Sequence, residues 1–205
     1  ARPPFSRSSP ASPPGARATP TGTGRAPPRR AGGGEPGTPV GGGREVEIYG
    51  TVIRLTGELE VTGAERLSDS INRFGAFIQV RNSRAEPLST NYPVLSRLEP
   101  RVTIAKSGVI LVCPLEEVPD GNSAMWRETV PYAASINTSA ISLVGDVHLS
   151  PGNDLQDHLE RHPGDFLPVT NLSALWITAI TNETHAVQRA FALLNPASIL
   201  SFSLR

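Results

Sequence analysis

One rhythm of apolar and polar positions occurs twice along the chain. In its first occurrence Ile53, Leu55, Leu59 and Val61 alternate with Arg54, Thr56, Glu58 and Glu60. A period of two marks a strand with one face on a core. Gly57 falls on the apolar register, where a missing side chain lets a strand bend sharply. Val46 and Ile48 predict a short strand before it. Leu67, Ile71 and Phe74 then recur at intervals of four and three, an apolar stripe on about two helical turns. Phe77 to Val80 reads as the next strand. Residues 82–100, with Pro87 and Pro93, read as a long loop or an edge strand. Val102 to Ala105, a turn at Lys106-Ser107-Gly108, and Val109 to Val112 read as a closing hairpin.

The second occurrence begins at Ile141. Leu143, Val147 and Leu149 alternate with Ser142, Val144, Asp146 and His148, and Gly145 stands where Gly57 stood. The offset is 88 from Ile48/Ile136 to Asp69/Asp157. After one inserted residue it is 89, from Phe77/Phe166 to Leu111/Leu200. Leu175 to Ile180 reads as a clear middle strand, and Ala190 to Leu194 with Ile199 to Leu204 as the second hairpin. A repeat of this length is too long for a solenoid unit, and each copy has enough strands for its own core. The expectation is a mainly β protein. It would hold two tandem small barrels or open barrels of SH3-like or Sm-like type, each with one short helix. The boundaries are a Pro/Gly/Arg-rich tail at 1–43, a first domain at 44–115, a linker at 116–131 and a second domain at 132–205.

At the corner of each copy stands one phrase: Leu67-Ser68-Asp69-Ser70-Ile71-Asn72-Arg73 and Leu155-Gln156-Asp157-His158-Leu159-Glu160-Arg161. A Phe-Ile/Leu-x-Val strand follows each. With the central-glycine strand before it and a hairpin turning on Asn or Lys behind it, this order resembles a bacterial domain-of-unknown-function family, the one numbered 6812. Leu67-Ser68-Asp69 with Ile71-Asn72 carries the resemblance closely, and Leu155-Gln156-Asp157 more loosely. Phe166 to Asn171 and Phe191 to Pro196 match the family's later strands. The resemblance covers both repeats and neither tail nor linker. It implies a bacterial source and no established activity.

Composition changes the picture at the N-terminus. Proline (20) and glycine (19) are too abundant for one compact fold. They concentrate in residues 1–43, whose only large apolar residues are Phe5 and Val40, so this tail is expected to be disordered. Six arginines and one glutamate give the tail a net charge of +5, and residues 44–205 carry −5. A basic tail on an acidic body allows contact with nucleic acid or an acidic partner. A single lysine, Lys106, against 18 arginines reads instead as coding bias. The lack of an initiator methionine predicts a processed product or a fragment. No run approaches the ~18 apolar residues of a membrane helix. A lone cysteine, Cys113, excludes an internal disulfide, and a cytoplasmic location is expected.

Few residues suggest chemistry. Asp69 and Asp157 are the only acids kept identical in both copies, and Arg73 and Arg161 are shared likewise. They are the candidate binding residues. Against that stands a helix-stabilising role for an acid in the first turn. His158 and His162, four apart, are a weak metal candidate without an evident third ligand. No phosphate loop, nucleophile elbow or His-Glu-x-x-His occurs. No catalytic residue and no cofactor is assigned. The expected role is interaction or assembly, by self-association or with a protein partner. The alternatives are nucleic-acid binding through an Sm-like barrel and its tail, and, third, an enzyme of undefined type.

Overall fold

A computed structural model describes residues 43–61, 65–88, 98–116, 128–161, 165–178 and 181–204. The expected tail (but for Gly43) and residues 117–127 of the expected linker lie outside them. Ten antiparallel strands form one open sheet. They are β1 (Gly43–Gly50), β2 (Ile53–Glu60), β3 (Phe77–Pro87), β4 (Leu98–Ala105) and β5 (Val109–Pro114), then β6 (Val130–Thr138), β7 (Ser142–Leu149), β8 (Leu167–Ile177), β9 (Thr184–Leu194) and β10 (Ile199–Leu204). Helix α1 (Leu67–Arg73) joins β2 to β3, and α2 (Leu155–Arg161) joins β7 to β8.

The spatial order is β10-β6-β7-β8-β9-β5-β1-β2-β3-β4. Each half of the chain therefore has the same arrangement. Its fifth strand returns to lie beside its first, and its fourth strand ends its row. The halves meet where β9 pairs with β5, Leu111 opposite Leu194 and Val112 opposite Leu193. The two halves share a sheet, and residues 39–205 form one compact unit.

The glycine bend is present in both halves. β2 slips against β3 between Thr56 and Glu58, and β7 against β8 between Val144 and Asp146. Gly57 thus faces two residues, Asn82 and Ser83. A Cβ on Gly57 would lie 2.7 Å from both the Arg81 carbonyl and Val80 Cγ1. Asn82 and Asn171 complete the bulges in left-handed backbone, at φ 46° and 51°, a conformation asparagine tolerates better than most residues. Each donates its side-chain amide across the bulge, Asn82 to Glu58 (3.1 Å) and Asn171 to Asp146 (2.7 Å).

The bulge explains the first departure from expectation. Buried positions run Ile78 and Val80, then Ser83; the second copy runs Leu167 and Val169, then Leu172, Ala174 and Trp176. The extra residue flips the parity of alternation, so one long strand reads as two segments. β3 accordingly continues to Pro87, into the segment expected to be a long loop or an edge strand. β8 joins the two strands expected at Phe166–Val169 and Leu175–Ile180.

The expected hairpins are corrected too. β4 pairs with β3, whereas β5 pairs with β1 and β9. The 3-10 turn Lys106–Gly108 redirects the chain from one row to another, and Pro196–Ser198 does so before β10. Pairing also shows a second one-residue slip. Ile48 faces Val112, and Ile136 faces Phe202, so Val112 corresponds to Phe202 and Leu111 to Ser201, an offset of 90. Cys113 corresponds to Ser203. Val130 and Pro131, placed in the linker, belong to β6.

Candidate functional site

The shared aspartates and arginines lie on the surface at the two helices. Asp69 and Asp157 are exposed and stand in the first turns of α1 and α2, where a carboxylate favours the free N–H end. Arg161 reaches Asp157 on its own helix at 3.4 Å. Arg73 instead binds Glu65 at 2.6 Å, and Glu65 also accepts the Ser70 hydroxyl at 2.9 Å. The four residues fall into two separate pairs of surroundings and converge on no common point. The N–H of Asp157 is capped by Asp154 at 2.7 Å, a cap that the repeat comparison passed over.

His158 is half-buried on α2, and His162 lies outside the described residues. Among the described residues no group of three or more His, Cys, Asp or Glu could hold a metal. His148, on the polar register of β7, lies between Thr170 (2.8 Å) and Thr129 (3.4 Å). Cys113 is fully buried, and burial followed by the nearby Glu47 carboxylate pushes its thiol up to about 12. A thiol so protonated is a packing residue rather than a nucleophile.

The densest polar cluster lies between the halves, and its members were not singled out from sequence. Glu47 on β1 is 5% exposed. It receives Arg189 of β9 at 2.5 Å and Arg54 of β2 at 3.5 Å. Arg54 also binds Glu86, which Arg84 approaches at 3.2 Å. The hydrogen bond from Arg54 holds the Glu86 carboxyl below its ordinary value. Burial, and then Glu47, raises the Tyr49 phenol well above its own. Tyr49 meets Trp176 of the second half edge-on at 5.6 Å, and Trp176 stacks on His185 at 5.4 Å. A cavity of about 270 Å³ opens beside them, lined by Arg54, Pro87, Leu88, Trp176, Glu183 and His185 among others. The Arg54 guanidinium is already engaged by two carboxylates, Glu47 and Glu86, and the Arg189–Glu47 contact rivets one half to the other.

Apolar contacts at this junction run both ways. Phe166 (3% exposed) and Leu193 of the second half pack into the first core. Tyr49, Ile110, Leu111 and Cys113 of the first half pack into the second core. Asn72 of α1 accepts the Phe166 N–H at 2.8 Å, and the Lys106 ammonium sits 5.6 Å over the Phe166 ring. Asn195 donates its N–H to the Ile110 carbonyl (2.9 Å) and its side chain to the carbonyls of Lys106 (2.9 Å) and Val109 (2.8 Å).

Among the described residues nothing covers the two ends of the sheet in this way. Among the described residues β4 pairs only with β3, and β10 only with β6. Large apolar side chains stand exposed beside both: Phe77 (60%) and Leu98 (75%) at one end, Leu200 (71%), Phe202 (37%) and Leu204 (42%) at the other. A groove of about 480 Å³ borders β10, lined by Leu159, Pro196, Ala197, Ile199, Leu200, Ser201 and Phe202. The sequence carried a sign of this difference. Val109 to Cys113 is a continuous apolar run, as for a strand covered on both faces. Ser201 and Ser203 break the run in β10. No helix among the described residues is long and apolar enough to cross a membrane.

No family model matches the chain, and neither does any curated protein or solved structure.

Proposed function

We propose that this chain is a non-enzymatic interaction or assembly protein whose working surfaces are the two open ends of its sheet. The observation that carries the reading is the pair of strands β4 and β10, each paired on one side only among the described residues and flanked by exposed large apolar residues. Unpaired strand edges offer rows of N–H and C=O groups to another chain, and natural proteins usually blunt them. On this reading each half is an open barrel of SH3-like or Sm-like type, repeated in tandem. The common strand order and the matched glycine bulges support it. The motif resemblance at Leu67–Asn72 to the bacterial family named above, and a cytoplasmic setting, belong to the same proposal. The nucleic-acid alternative leans on the basic tail, which lies outside the described residues.

The test is site-specific photo-crosslinking in the native cell. A photoreactive residue at Leu98 or Leu204 is expected to give protein adducts, and one at exposed Thr51, in the turn between β1 and β2, is not. Absence of adducts from both edges would overturn the proposal.

A further inference from the structure

The chain contains a worked example of how its own free ends fit together. At the internal junction the fifth strand of one half meets the fourth strand of the next, and Phe166 plugs the first half between α1, the Lys106–Gly108 turn and β5. The pairing register fixes the equivalents. Phe166 corresponds to Phe77, Ile71 to Leu159, Lys106 to Pro196, Val109 to Ile199, and Val112 to Phe202. The groove beside β10 is lined by Leu159, Pro196, Ile199 and Phe202. It is therefore the counterpart of the Phe166 seat, present on the second half without its plug. The counterpart of the plug, Phe77, stands 60% exposed at the opposite end of the same chain.

The geometry points to head-to-tail self-association: Phe77 of a second copy enters the groove beside β10, and β4 of that copy adds to β10. This rests on the assembly reading above and names its occupant. The expected register follows the internal one, Ser201 opposite Ile104 and Phe202 opposite Thr103, with the Ala105 N–H donating to the Leu200 carbonyl as Asn195 does to Ile110. The Glu160 carboxylate takes the place of the Asn72 oxygen as acceptor for the Phe77 N–H. Pro100, the one β4 residue without an N–H, corresponds to Ala190 and lies outside the paired segment, so it does not block the addition.

The outer faces have changed together. Where the junction has Glu47 with Arg189 and Tyr49 with Trp176, the ends offer Ser135 with Glu99 and Asn137 with Pro87. Ser135 carries no charge, so this pair gives no counterpart of the Glu47–Arg189 ion pair. The contact between copies is thus smaller and more polar than the one within the chain, and it is reversible. Because the two surfaces differ, each added copy presents a fresh groove, and growth stops only when a ring closes.

Sedimentation or light scattering of the full chain across a concentration series tests this. The wild type is expected to rise above the mass of one chain with concentration. Phe77→Asp, without a plug, and Leu200→Asp, with a charge in the groove, are each expected to stay at one chain. Mixed in equal amounts they still have one intact plug and one intact groove. The mixture is expected to reach two chains and go no further. A wild type that remains a single chain, a Phe77→Asp variant that associates like the wild type, or a mixture that stays at one chain would each overturn the inference. Circular dichroism of both variants excludes loss of fold, since each site is largely exposed. If the wild type is a single chain while Leu98 or Leu204 still crosslinks to a different protein, the self-association fails and the assembly reading stands.

Discussion

Phe166 and Phe77 hold the same place in the two halves and meet opposite fates. Phe166 lies in the first core, 3% exposed, with its N–H bound to Asn72. Phe77 stands 60% exposed at the end of the sheet. Since the repeat fixes the same backbone around both, the difference comes from what lies alongside. The second half has the first half's β5 and β1 against its flank; β4 of the first half has no such neighbour among the described residues. Covering a flank changes which side chains a strand tolerates on that side: Tyr49, Leu111 and Cys113 at the junction become Asn137, Ser201 and Ser203 at the end.

The sharpest way to break this comparison is to remove both rings. Phe166→Ala is expected to cost about 3–5 kcal/mol, as for truncating a buried aromatic. Phe77→Ala should cost under about 0.5 kcal/mol, as for a surface change. Denaturant unfolding at low chain concentration measures both, and equal costs would refute the asymmetry.

Next comes the ionic rivet. Arg189→Met leaves the buried Glu47 with only the longer Arg54 contact, and a loss of about 1–3 kcal/mol is expected. Adding Glu47→Gln should recover part of it, because the uncompensated charge is then gone. A double variant as unstable as the sum of the two single ones would show that they act independently.

Gly57→Ala and Gly145→Ala test what the halves share. Each new Cβ meets packed atoms, at 2.7 Å in the first half and 2.8 Å in the second. About 1–3 kcal/mol is expected from each, again by denaturant unfolding. Similar losses would confirm the bulges as equal in the two halves, and a tolerated Gly145→Ala would make them unequal.

The smallest effect concerns pH. Arg54 holds the Glu86 carboxyl below its ordinary 4.5, so the folded state binds that proton less tightly than the unfolded chain does. The resulting stability is complete above pH 4.5 and is lost as pH falls through the depressed value. Glu86→Gln should flatten this part of the acid limb of a stability–pH curve by slightly lowering stability at neutral pH, while stability below the depressed value stays almost unchanged.

Much of each half could be read from residues alone. Period-two alternation located β2 and β7, and the Leu67–Ile71 spacing located α1. The central glycines marked the bends. What stayed hidden depended on residues meeting across the fold. Asn82 and Glu58 are 24 positions apart, and only the bulge brings them together. The two bulges shifted the alternation, so β8 read as two short strands and β3 as one short strand followed by a long loop or an edge strand. The Glu47–Arg189 pair spans 142 positions and both halves, so no local pattern could announce it. Asp69 and Arg73 were legible as a shared phrase, but Arg73 turns to Glu65 and leaves Asp69 as a helix-end charge.

Cys113 gives this architecture a built-in clock. The chain has one sulfhydryl, set in the strand at the seam between the halves, where burial pushes it up to about 12. An alkylating reagent can reach it only when the seam parts, so its labelling rate in native buffer reads how often the seam opens. The rate should jump in any variant that loosens the seam and stay flat in one that alters only the outer rims.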